Sequence, residues 1–357
     1  MAQRGALASG GPSASRSERG TGLNTKWRAG AAAAAVAELA LAAVLSAGAG
    51  GARGQAVERW KVVEVAQPAN DADEAVLARP IALAVDKDRL YIADALDCAV
   101  KVFSTGGRFL GSFGRKGKGP GELNFPSGVC VAGDKVAVAD KLNFRVQKFD
   151  REGRAGGGFK LAFAPDRIFA LNDDRLLITG NPSGRRNGER LLHIFDKEGR
   201  AIWDGFEARS SSDPVLDVFQ NMILVCPGDN GDFHVIHRTG ERAISRFSGS
   251  GSLLGTIAVD ERLPFKPLDM PSGRGATRLL GFCWAAAGDG GLLYLSAPEM
   301  VDGKDLGPGR TLSVIDGQGR LRAEVELTCA VHRFLVENGR VFAIDDEGGL
   351  RIFEVAR

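Results

Sequence analysis

Four histidines, one recurring aspartate and two acid/base–arginine pairs are the residues of this 357-residue chain whose types suit chemistry. A zinc-dependent lyase or hydrolase needs several imidazoles converging on the metal with one coordination position left open. His193 and His234 stand in equivalent segments, aligned with Lys101 and Gln147, and His237 follows in the next turn. Only His332 is placed to face a central channel, so three ligands do not converge and no zinc site is expected. Asp94, Asp140 and Asp345 recur at one repeat position, as carboxylates would around a shared divalent cation. With Asp97 and Asn143 three residues on, the same types fit a turn whose carboxylate accepts backbone N–H bonds, and the turn is the preferred reading. The run Gly114-Arg115-Lys116-Gly117-Lys118-Gly119 lacks the spacing of a phosphate loop. Ser183, Ser210, Ser211 and Ser212 have no His–Asp pair in register, so no catalytic residue is expected and no cofactor, with Ca²⁺ or Zn²⁺ left open.

The remaining constellation joins two distant segments. Pro165-Asp166-Arg167-Ile168 aligns with Val331-His332-Arg333-Phe334, and Asn172 with Asn338. Asp166, Arg167, His332 and Arg333 would then stand near the starts of two strands on opposite sides of a ring. Two arginines so placed would clamp an acidic ligand. The competing expectation is that strand alternation turns half of these side chains between sheets, where they pair with Asp or Glu.

The elements that must position them recur. Third strands read Val100-Lys101-Val102-Phe103, Val146-Gln147-Lys148-Phe149 and Leu192-His193-Ile194-Phe195, each followed by a Gly-containing turn. Weaker copies end on Ile236, Ile315 and Phe353, giving spacings of 46, 46, 41, 79 and 38 residues. Units of roughly 40–50 residues are those of propeller blades. The 79 is one unit plus an insertion, assigned to the Gly/Ser/Pro-rich stretch Ser248–Thr277. Pro80, Pro126, Pro165 and Pro214 mark strand starts, where a missing N–H breaks no ladder bond. The last unit lacks a fourth strand, and Trp60–Val65 is a strand-like segment with no unit of its own. The chain is therefore expected to be all-β, a six-bladed β-propeller whose N-terminal strand completes the last blade and covers its edge. The blades are expected at approximately 79–125, 126–163, 164–212, 213–278, 279–327 and 328–357 plus 57–66.

The block Gly119-Pro120-Gly121-Glu122-Leu123 through Val138-Ala139-Asp140, Asn143, Arg145-Val146 and Asp150 resembles an NHL repeat, the repeat of a family of six-bladed propellers. The match covers about the first two blades; beyond them only periodicity remains, with Thr179 standing where the Asp would be. Some propellers of that family bind RNA across a basic face, and the resemblance makes RNA one ligand class to weigh.

Charge argues against it. Residues 1–56 hold six of the 46 basic and two of the 44 acidic residues, so the rest of the chain sits near −2 and carries no overall positive field of the kind that attracts a nucleic-acid backbone. Within 1–56, Lys26 and Arg28 precede an apolar run, Leu39–Leu45, and the small residues Ala47-Gly48-Ala49. These are the charged, apolar and cleavable parts of a secretory signal, and a disordered Ala/Gly leader is the alternative. The mature chain is expected outside the cytoplasm, periplasmic or secreted, as a monomer with no stable membrane span. Cys98, Cys130, Cys226, Cys283 and Cys329 show no close-spaced framework and are expected as structural thiols, one disulfide between first strands staying open. The functional expectation is an exported, non-catalytic scaffold for a protein, peptide or glycan ligand, with the insertion (Phe265, Lys266, Pro267, Met270) as first choice of contact surface. The rival is a metal-dependent propeller hydrolase or lyase.

Overall fold

The computed structural model describes residues 56–66, 75–171, 175–180, 189–272, 275–281, 283–301 and 305–357. The leader expected over 1–56 thus lies outside the described residues except for Ala56, as do Asn172 and Ser183. No helix among the described residues is long and apolar enough to cross a membrane.

Six four-stranded antiparallel sheets account for the main body. Their innermost strands are Pro80–Asp86, Pro126–Ala132, Pro165–Leu171, Ile223–Pro227, Ala285–Asp289 and Val331–Glu337, and each packs on the next around a closed ring. Between sheets lie six apolar clusters, one per interface. Both faces of every blade are therefore buried, so the second strands read as continuous apolar runs rather than alternating ones. In Arg89–Asp94, Leu90 and Ile92 enter the cluster shared with blade six while Tyr91 and Ala93 enter the one shared with blade two.

Closure follows the expected route and goes further. The strand Glu58–Ala66 lies antiparallel to Leu350–Ala356, with Val62 opposite Val355 and Glu64 opposite Phe353. Its first residues, Glu58–Trp60, also pair in parallel with Ala323–Val325 on the outer strand of blade five. One strand thus covers two sheet edges.

Blade four corrects the sequence reading. Asp213-Pro214 does not start a strand; it starts a helix, Pro214–Gln220, in which Asp213 accepts N–H bonds from Val215 and Leu216 and Pro214 occupies the first turn. Ile223–Pro227 is the inner strand, Phe233–His237 the second, Ala243–Phe247 the third and Leu253–Ala258 the fourth. Phe247, not Ile236, is equivalent to Phe103, Phe149, Phe195 and Ile315: each stands at the same register break of the third–fourth hairpin. The front part of the supposed insertion holds that fourth strand, and the added element is the hairpin Lys266–Ser272/Gly275–Gly281. Phe265 is not a free contact there, since the Arg242 guanidinium covers its ring at 3.8 Å.

The blades lock through a repeated contact. In blades two, three and four the glycine after the third strand (Gly153, Gly199, Gly251) has positive φ and lies against an aromatic ring on the preceding blade's outer strand: Phe113, Phe159 and Trp203. A Cβ at Gly199 would overlap the Phe159 ring while its φ of 85° disfavours any side chain. Gly199→Ala is expected to cost about 2–3 kcal/mol, read as a lower urea midpoint at unchanged m-value.

Candidate functional site

The aspartates at the ends of the second strands build turns. Asp94 accepts N–H bonds from Ala78, Arg79, Leu96 and Asp97; Asp345 accepts them from Glu347 and Gly349 and pairs with Arg351 Nε at 2.7 Å. Asp140, fully buried, takes Asn124 N–H, Asn143 Nδ2 and Arg145 Nε. Arg145 in turn donates to the Lys118, Gly119 and Glu122 carbonyls, and Asn143 to Gly117 O. The Asp–Asn–Arg pattern therefore knits the glycine-rich loop to the blade beside it. In blade three the register of these aspartates falls on Gly180; Thr179 is one residue earlier, where its hydroxyl accepts the Arg167 N–H.

The histidines do not share a site. His193 Nδ1 lies 2.6 Å from Asp204 and its ring stacks on Phe163 at 4.0 Å. His234 stands on the second strand of blade four, not on a third strand beside the position of His193 as the sequence alignment had it. His237 ends that strand, and His332 lies on the inner strand of blade six with its ring 5.8 Å from Trp284.

Arg167 and Arg333 occupy the same place in opposite blades. Each is the third residue of an inner strand, just past a register break, paired with Thr179 and Ile344 respectively. Ala82 and Gly128 hold that place in blades one and two. Gly128 has to be glycine, because a Cβ there would come within 2.8 Å of Ile168 N and 3.2 Å of Arg167 Cα. The close approach lets Arg167 reach across, its Nη1 donating to Ile81 O (2.6 Å) and Ser127 O (2.9 Å). Arg333 Nη1 donates to His332 O at 2.7 Å.

Both arginines line a central cavity of about 530 Å³ together with a third, Arg238, which the sequence reading missed. Arg238 follows the second strand of blade four, and its guanidinium lies over the Trp284 ring at 4.5 Å. The added hairpin arranges this stack: Gly240 N–H donates to Leu280 O, Thr239 bridges Gly281, and Cys283 N–H donates to Arg238 O. Arg238 Nε and Trp284 Nε1 are buried donors with no hydrogen-bond partner among the described residues.

The electrostatics are lopsided. Asp166 is the one carboxylate lining this end, and Lys141 Nζ holds it at 3.0 Å; Glu337 lines the far end, four residues along the strand from Arg333. None of the three arginines forms a salt bridge among the described residues. Burial holds the Arg333 guanidinium down to about 9, with Arg167 and Arg238 adding repulsion and Asp166 opposing them. Burial lowers Arg238 as well, and burial followed by Arg333 lowers His332, which keeps that imidazole neutral at pH 7. The arrangement is equipped to hold negative charge, with three arginines lining a space of the size that ligands occupy.

Comparison with known proteins agrees with the fold. A family profile, DUF5128, described as a 6-bladed beta-propeller, matches residues 71–223. Among solved structures, a candidate exported protein from Bacteroides fragilis superposes with a TM-score of 0.57 at 12% identity, covering 85% of this chain and 97% of that one. A member of the DUF4221 family from Bacteroides vulgatus gives 0.58 at 10% identity, with 85% and 100% covered. A gluconolactonase from Xanthomonas campestris gives 0.51 at 13%, with 85% and 99% covered. A RING finger protein, nhl-1, of Caenorhabditis elegans is 49% identical over 49 residues, which is 13% of this chain; the chain spans 5% of that relative's length. The chain is an all-β six-bladed propeller.

Proposed function

We propose that this chain is an exported, monomeric, non-catalytic propeller of the NHL type that binds a protein, peptide or glycan through an acidic group at the basic end of its channel. Asp166, Arg167 and Arg333 line the site with Arg238, while His332, the fourth residue expected there, is not among the lining residues and precedes Arg333 with its ring near Trp284. One observation carries the proposal: three guanidinium groups share one cavity with no carboxylate of their own. An unpaired buried charge costs folding free energy, and a ligand anion offsets that cost. The NHL assignment is supported by the Asp140–Asn143–Arg145 pattern and the short match to nhl-1, and export by the charged, apolar and small-residue succession before Ala56. The non-catalytic reading is supported by the aspartates, whose oxygens already accept N–H bonds, and by the dispersed histidines.

An array of peptides and glycans of graded acidity, probed with wild type and Arg333→Met at matched ionic strength, tests the binding claim. Hits confined to acidic members and lost in the variant are expected. Hits that ignore ligand charge, or that the variant retains, would sink it. Sequencing the mature N-terminus from intact cells tests export separately; a start near Gly50 or Val57 is expected.

A further inference from the structure

We infer that the group bound at this end is a dianion, a phosphomonoester or a pair of adjacent carboxylates, and that Arg238 is the residue that selects it over a single carboxylate. The inference rests on the proposed anion site and specifies its chemistry.

The first argument is a count of donors. Arg167 commits Nη1 to two backbone carbonyls and Arg333 commits Nη1 to one, so each keeps the Nε and Nη2 edge that grips oxyanions bidentately. No side-chain nitrogen of Arg238 makes a hydrogen bond among the described residues, and its Nε is a buried donor without a partner there. A single carboxylate has two oxygens and satisfies one such edge well, or two poorly. A phosphomonoester offers three terminal oxygens, and a paired carboxylate four, which match three guanidinium edges.

The second argument is charge. With Asp166 occupied by Lys141, three positive charges remain, each within electrostatic reach of the others. A monoanion leaves most of that repulsion in place, whereas a dianion removes most of it. Selection by charge is steep where water is partly excluded.

The third argument is rigidity. The Arg238 guanidinium lies over the Trp284 ring and its backbone carbonyl is tied to Cys283, so its fork is held before a ligand arrives and little side-chain entropy is lost on binding. Arg167 and Arg333 suffice to attract an anion; the third, pre-set fork is what a one-headed carboxylate leaves unused.

The test uses the purified full chain at fixed ionic strength and three probes, phenyl phosphate, malonate and benzoate, with calorimetry for affinity. Phenyl phosphate and malonate are expected to bind at least about 10-fold more tightly than benzoate, and Arg238→Gln to weaken the two dianions by about 10- to 100-fold while changing benzoate by less than about 3-fold. Arg238→Lys, which keeps the charge and loses the fork, is expected to weaken them by about 10-fold and serves if the Gln variant does not fold. Benzoate binding as tightly as phenyl phosphate overturns the dianion inference and leaves the anion site standing. No binding of any probe, at wild-type or variant, overturns the anion site itself.

Discussion

Arg333→Met raises the melting temperature of the protein in anion-free buffer by about 2–5 °C and removes the further rise that phosphate produces in wild type. A substitution that stabilises the fold while abolishing ligand stabilisation is the mark of a residue kept for binding rather than folding. The guanidinium of Arg333 is half-buried on the channel wall, repelled by Arg167 and Arg238, with Asp166 already engaged. Its folded pKa, about 9, lies below the ordinary arginine value. A base shifted this way destabilises the fold wherever it is charged, so the full penalty is present at neutral pH and is relieved as pH rises past about 9. Methionine fills much of the same volume without the charge, loses the hydrogen bond to His332 O, and still gains about 1–2 kcal/mol. The difference between variant and wild type should therefore shrink above pH 9. Scanning calorimetry across pH 6–10, with and without phosphate, reads all of this; a variant less stable than wild type at pH 7 would show that Arg333 serves the fold.

The parts of this architecture that local chemistry dictates are visible in the sequence. Asp140, Asn143 and Arg145 announce a turn because their side chains bond the backbone around them, and the third-strand phenylalanines recur because every blade repeats one register break. Arg167 and Arg333 were legible as equivalents for the same reason. Blade four was misread because Asp-Pro satisfies two demands equally: a proline tolerates a strand's first residue, and it tolerates a helix's first turn after an aspartate cap. That one ambiguity moved the third strand from Phe247 to Ile236 and put His234 beside His193. Phe247 carried the missing signal, since Arg246-Phe247 before Gly251 copies Lys148-Phe149 before Gly153. Arg238 has no local signature at all. It meets Trp284 because a hairpin between blades folds back on the loop that carries it, and nothing in either segment encodes that distance.

The largest effect is expected at the junction of the two ends of the chain. A chain starting at Ala56 should fold with unchanged stability, whereas one starting at residue 67 should aggregate or fail to fold. The strand Glu58–Ala66 supplies the fourth strand of blade six, packs Trp60 and Val62 on the cluster between blades five and six, and pairs Glu64 with Arg351 at 3.2 Å. Partial burial of the two apolar side chains contributes about 1–3 kcal/mol and the ladder about 0.5–1.5 kcal/mol per bond, together comparable to the roughly 5–15 kcal/mol that holds a domain folded. Its loss also bares two edges, because the same strand covers Leu350–Ala356 on one side and Ala323–Val325 on the other. Removing only 56–60 should give an intermediate result, a loss of about 2–4 kcal/mol in denaturant melts with the protein still soluble, since the antiparallel pairing from Lys61 onward survives while Trp60 and the parallel contact do not. A synthetic peptide of residues 56–66 added during refolding should restore soluble protein to the shorter chain, and a scrambled peptide should not, because the vacated edge offers main-chain bonds to any strand but side-chain pockets only to this one. Rescue by both peptides alike would mean that the edge needs only to be covered, and that Trp60 contributes nothing specific to the closure.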